Sequence, residues 1–150
     1  MKKLTFIIIT LLIGIFNVMS EDMRFTDTGS EEAFIVGVEI HPNDNSEIFY
    51  MYRGNTFYIT IKFRPIEYIY GINGYSEFMV LGHSAGITQI QDLSSNTNMF
   101  TPGYTYTIYL TMPVLPSYPS INGSLKITIK DAFTNRNVIS FGVAAHITDK

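Results

Sequence analysis

From Ala33 onward the chain alternates apolar and polar residues. In the stretch Thr56 to Phe63, Phe57, Ile59, Ile61 and Phe63 are interleaved with Tyr58, Thr60 and Lys62. A period of two places one set on a buried face and the other toward solvent, the pattern of a half-buried β-strand. Similar runs predict strands over Ala33 to His41, Glu67 to Ile72, Glu77 to Leu81, Tyr104 to Met112, Leu125 to Lys130 and Val138 to Ile147. Gly, Pro, Asn and Asp punctuate them. Gly71-Ile72-Asn73-Gly74 reads as a turn, and its Asn-Gly pair suits a tight hairpin. Gly82 to Phe100, rich in Ser, Gly, Asn and Thr, reads as a looser stretch. Helical periodicity is almost absent. Seven short strands with turns between them predict an all-β, immunoglobulin-like β-sandwich.

The first 20 residues follow a different rule. Lys2 and Lys3 precede an almost wholly apolar run from Leu4 to Val18, and Val18-Met19-Ser20 follows. This is the pattern of a secretory signal peptide cleaved before Glu21. The run is shorter than the roughly 20 residues needed to span a bilayer core, which disfavours an uncleaved anchor. No Cys follows Ser20, so no lipoprotein anchor is expected. Residues 21 to 150 then form one domain, led in by an acidic segment over residues 21 to 32. The expected location is outside the cell or in an endosomal or lysosomal lumen.

Charge narrows the partners. Without Lys2 and Lys3, ten basic residues fall to eight against 13 acidic ones, a net charge near −5. Nucleic-acid binding rests on basic surface and is not expected. Tight docking on anionic membranes is disfavoured for the same reason. The chain has no cysteine, so a secreted domain must hold together by packing alone. Its 10 Tyr and 11 Phe supply the bulk for such a core.

The chemistry of catalysis is not visible. His41, His83 and His146 lie far apart with no metal-ligand spacing. Asp131 and the stretch Thr134 to Asn137 read as turn chemistry. Glu31-Glu32 reads as a solvated pair in a charged lead-in. No nucleophile elbow, zinc-protease helix, phosphate loop or dinucleotide fingerprint occurs. No enzymatic activity, cofactor or metal is expected. Asn122-Gly123-Ser124 is a glycosylation sequon in a turn-like stretch.

Three stretches resemble the ML lipid-recognition domain family. Phe25-Thr26-Asp27-Thr28-Gly29-Ser30 leads to Ile35 through Pro42, where the family reads F-x-D-C-G-S and a strand ending in Pro-Cys. Arg53-Gly54-Asn55-Thr56-Phe57 is similar to the family's Lys-Gly-x-x-Tyr strand opening. Pro102-Gly103-Tyr104-Thr105-Tyr106, Met112-Pro113-Val114, Tyr118-Pro119-Ser120-Ile121, Asp131 and Val138-Ile139-Ser140-Phe141 follow the family's order. The family's cysteine positions match Thr28, Asn43, Phe49, Asp92, Asn98 and Ser140, so its whole disulfide framework is missing. Each lost bridge would forgo roughly 2–4 kcal/mol.

The resemblance implies two sheets with an apolar pocket between them, holding a sterol or phospholipid tail without catalysis. Val114 and Tyr118 match pocket-mouth residues, and Ile40, Phe57, Ile59 and Ile127 match inward-facing wall residues. Phe141 matches an aromatic of the last strand, and Ile87 falls near a guarding loop residue. Pro113, Pro116 and Pro119 would stiffen the rim. The implied protein is a monomeric lipid carrier, with a membrane protein or receptor as a partner for hand-over. The alternative is a secreted recognition module with a filled core, acting through protein contacts.

Overall fold

The structure, a computed structural model, describes residues 24–42, 46–93 and 99–150, without the side chains of Ile87 and residues 89–93. The expected signal peptide and cleavage point lie outside these residues, as do Asn43 and Asn98. The described chain is all β: β1 (Thr26–Asp27), β2 (Ala33–His41), β3 (Phe49–Tyr52), β4 (Thr56–Pro65), β5 (Ile72–Val80), β6 (His83–Leu93), β7 (Tyr106–Pro113), β8 (Ile121–Asp131) and β9 (Asn137–Thr148). One sheet runs β1-β9-β8-β5-β6, with β3 also pairing β9; the other runs β2-β4-β7. This is the expected sandwich, with nine strands in place of seven.

The alternation does the work that the sequence assigns to it. Phe57, Ile59, Ile61 and Phe63 of β4 are all buried, and they face the inner set Leu125, Ile127 and Ile129 of β8 and Phe141, Val143 and Ala145 of β9. The edge of β9 turned away from β8 is divided between two short strands. β1 takes its first half, antiparallel at Phe141 and Gly142, and β3 takes its second half, parallel from Ala145 to Thr148.

Four local expectations are overturned by pairing. Asn73-Gly74 is no turn: both residues sit inside β5, with ladder partners on β8 and β6 at once. Two neighbouring strands outweigh a local turn preference. The hairpin instead turns at Leu81-Gly82, where φ is +50° and +80°. The loose stretch after it contains an eleven-residue strand, β6. Its polar, Gly-containing sequence carries no alternation to read, and β5 templates it. Glu67 to Ile72 is not a strand of its own: Ile69 makes an isolated bridge to Phe100 and Ile72 opens β5, while β3 is too short to announce itself. Asn122-Gly123-Ser124 also lies within β8 rather than in a turn, and Asn122 is exposed beside His146 of β9.

The missing cysteines leave a traceable substitute at one place. Thr28 and Ser140, two of the cysteine-matching positions, meet with their hydroxyl oxygens 2.8 Å apart, and the Thr28 amide donates to the Ser140 carbonyl at 2.8 Å. Thr128 joins the Ser140 hydroxyl at 3.2 Å, and the Ser30 hydroxyl accepts from the Ser140 amide at 3.0 Å. Ser140 is fully buried, so each of these bonds satisfies a group that water cannot reach. The lead-in is thereby sewn onto β9 by hydrogen bonds instead of sulfur.

Charge is concentrated at the end of the sandwich where β2 begins and β8 stops. Glu32 is 2% exposed; its Oε1 accepts from Thr134 Oγ1 at 3.3 Å and pairs with Arg136 at 3.3 Å. Its Oε2 is buried with no hydrogen-bond partner among the described residues. Arg136 is shared with Glu31 and Glu67. Asp131 uses Oδ1 to accept from the Phe133 and Thr134 amides at 2.7 and 2.8 Å, closing the β8–β9 turn. Desolvation, then the nearby Asp131 charge, raise the Glu32 pKa above its ordinary 4.5, and Arg136 only partly opposes them.

Two expectations follow. A Thr28→Cys, Ser140→Cys double variant should oxidise spontaneously and gain about 4 kcal/mol against unfolding, given the long loop it closes; free thiols after air oxidation would refute the facing geometry. A raised carboxyl pKa means that the folded state binds its proton more tightly. The resulting stability is therefore fully present below pH 4.5 and is lost as pH rises through the folded value. Glu32→Gln should raise the melting temperature by a few degrees at neutral pH, with the gain shrinking as pH falls toward 4.5 in a thermal-melt series.

Candidate functional site

At the opposite end from the charge cluster the core is not closed. A cavity of about 440 Å³ lies there, walled by Met51 of β3, Ser76 and Phe78 of β5, Ala85, Gly86 and Thr88 of β6, and Met112 and Pro113 of β7. Leu115, Tyr118 and Pro119 of the β7–β8 loop, Ile121 and Leu125 of β8, and Ile147 of β9 complete it. Met51, Met112, Leu125 and Ile147 are buried and form the floor. Ala85, Gly86, Leu115 and Pro119 are exposed and form the mouth. Methionines at the floor suit an irregular apolar ligand because their unbranched side chains adapt in shape.

Polar groups are few. Ser76, Thr88 and Tyr118 supply hydroxyls, and the Ser76 hydroxyl reaches the Thr88 carbonyl at 3.5 Å. No Asp, Glu, Lys or Arg lines the cavity among the described residues. Such a lining offers no acid, base or anchored nucleophile; it offers apolar area and a few orienting contacts.

The rim is held by the β3–β4 turn. Gly54 donates to the Val114 carbonyl at 2.7 Å, and the Val114 amide donates back to Asn55 at 2.9 Å. Gly54 has φ +79°, a conformation that favours glycine, and a Cβ there would sit 4.0 Å from Pro116. Arg53 Nη1 donates to the Tyr118 carbonyl at 3.2 Å, while Nη2 pairs with Asp149. The Tyr118 amide closes a turn onto Leu115 at 3.1 Å. The Arg53-Gly54 pair thus presents Tyr118 at the mouth.

The expected site residues separate into two groups. Tyr118 lines the cavity. Ile40, Phe57, Ile59, Val114, Ile127 and Phe141 do not; each is 0–1% exposed inside the solid part of the core. The reason is aromatic packing. Phe57 meets Phe49 edge-on at 4.8 Å between centroids, and Phe141 meets Phe25 at 5.8 Å, so the space beside both rings is occupied. Ile87 lies on β6 between two lining residues, with its side chain outside the described part. Met51, Phe78, Ile121, Leu125 and Ile147 were missed. Leu125 carried a readable signal as an inward residue of an alternating strand, whereas Met51 and Phe78 belong to elements defined only by their partners.

Gly123 sets the spacing of the wall. A Cβ there would come within 2.2 Å of the Met79 carbonyl oxygen and 2.7 Å of Phe78 Cε1. β8 can therefore approach β5 at the mouth only because residue 123 has no side chain.

No family model matches the sequence, and no curated protein matches it. Solved structures do share the fold. A Niemann-Pick type C2 protein from the Japanese carpenter ant is similar at 14% identity over 83% of this chain and 99% of that one, with a TM-score of 0.74. The C-terminal domain of wzt is similar at 13% identity over 87% and 80%, TM-score 0.61. Chicken MD-1, solved in complex with lipid IVa, is similar at 8% identity over 82% and 96%, TM-score 0.50. The sandwich implied by the ML-family resemblance is the sandwich these proteins share.

Gly123→Ala should cost about 1–3 kcal/mol through overpacking between β5 and β8. Urea denaturation measures this directly, and an unchanged midpoint would mean that the two strands have slack at the mouth.

Proposed function

We propose that this protein is a non-catalytic lipid-binding protein that holds the apolar part of one sterol or one phospholipid in the slot between its sheets. The observation that carries the reading is the open cavity of about 440 Å³, with an apolar floor and, among the described residues, hydroxyl-bearing residues as its only polar side chains. Its volume is in the range of small-ligand sites. A tail burying about ten methylenes gains roughly 8 kcal/mol, the scale of micromolar affinity, with no directional contact required. The bound lipid IVa of chicken MD-1, which shares the fold, supports the same reading. So does the ML-family resemblance along the rim, from Met112-Pro113-Val114 to Tyr118-Pro119. The signal-like leader supports an extracellular or lumenal place of action, where a carrier would pass lipid between membranes or to a receptor.

A recognition module is the second reading, and one observation favours it. Tyr58 and Tyr109 stand exposed on the outer face of the β2-β4-β7 sheet, as does Phe34.

The deciding experiment is native mass spectrometry of the protein secreted by a eukaryotic host, followed by organic extraction. A stoichiometric sterol or phospholipid is the expected result, and Ile121→Trp, which fills the slot, should reduce loading at least tenfold with the fold retained by circular dichroism. A lipid-free protein that resists loading with both lipid classes would transfer the assignment to the recognition module.

A further inference from the structure

The tip of the β5–β6 hairpin is built against its own backbone preference. Its two-residue turn takes φ +50° at Leu81 and +80° at Gly82. A turn with positive φ at both positions suits Asn, Asp or Gly first and glycine second; a leucine there is strained. Leu81 is nonetheless 94% exposed, so no packing against the described residues offsets the strain or the exposed side chain. It lies three residues after Phe78 and four before Ala85, both on the cavity wall. Leu115, 47% exposed, stands at the same mouth.

The surroundings are uncharged. Between Glu77 and Lys126 the sole Asp, Glu, Lys or Arg is Asp92, in a chain where these make up 15% of residues. The register sets Asp92 opposite Asn73, at the far end of β6 from the tip. Arg53, behind the rim, is paired with Asp149. An anionic surface is recognised by clustered Lys and Arg, which this end lacks. A net-neutral surface that accepts an inserted apolar group is the complement it fits.

We propose that this end of the sandwich docks on zwitterionic phospholipid bilayers, with Leu81 inserted among the acyl chains and the cavity mouth turned toward the membrane. The purpose of the contact rests on reading the cavity as a lipid slot; its geometry does not. Leu81 is exposed and strained because its side chain is buried only at the membrane, where it brings the mouth to the lipid.

The test uses flotation of the secreted protein with phosphatidylcholine vesicles, at low and high salt, beside a thermal melt. The wild type should float, and salt should not release it. Leu81→Asn should lower vesicle binding about tenfold or more, the loss of one buried leucine. The same change relieves the turn and should raise the melting temperature. Lower binding in a more stable protein separates a membrane role from a structural one. A wild type that stays unbound, a Leu81→Asn variant that floats as well, or binding that needs anionic lipid and vanishes in salt would each overturn the proposal. So would binding that proves to be to a protein instead of to vesicles. Loading of sterol added from cyclodextrin is measured in parallel. Failed loading with intact flotation would overturn the slot and leave the docking surface standing.

Discussion

Each of the two sheets has one apolar face, and every other feature follows from how far those faces can close on each other. Along most of their length the closure is complete. β4 presents Phe57, Ile59, Ile61 and Phe63 to β8 and β9, and rings such as Phe49, Phe100 and Tyr106 fill the remaining gaps. At the end where β3 finishes and β8 begins the faces do not meet, and the space of about 440 Å³ remains. A void of that size opened in a packed core would cost about 10 kcal/mol, comparable with the whole stability of a domain. Such a gap is a feature of the architecture rather than a local fault of packing.

The two ends of the sandwich therefore have different electrostatics. The closed end carries Glu31, Glu32 and Glu67, which share Arg136, together with Asp131. Charge can be concentrated there because the turns supply amide donors and Arg136 supplies a shared counter-charge. The open end is nearly free of charge. An apolar slot needs that, since a charge at its mouth would hold water where the ligand must enter. The rim is held in place by backbone bonds between the Gly54-Asn55 turn and Val114, and by the Arg53 guanidinium, which donates to the Tyr118 carbonyl and pairs with Asp149.

Stability without cysteine has the same economy. Thr28 and Ser140 make a hydroxyl contact at the place where the resemblance would have put sulfur, and the surrounding amides and hydroxyls bind the lead-in to β9. Such bonds are individually worth about 1 kcal/mol. They serve because β9 is already held by β8 along its full length and by β1 and β3 on its other edge.

The amino-acid sequence alone determined what depends on local pattern. Alternation in β2, β4, β7, β8 and β9 made the all-β class, most strand positions and the core readable, and the family resemblance at the Pro-rich stretch marked Tyr118 for the rim. Only the tertiary structure decided what depends on partners. Asn73-Gly74 became strand because β8 and β6 bind both its edges. Polar β6 and short β3 exist because β5 and β9 offer them unpaired backbone. The site divided in the same way. Inward-facing residues such as Phe57 and Ile127 are legible from periodicity, but whether an inward residue meets another side chain or an open space depends on what the opposite sheet places there. Phe49 fills the space beside Phe57, and no described residue fills the space beside Met51, Met112 and Ile147, which is why the slot lies where the chain order alone does not put it.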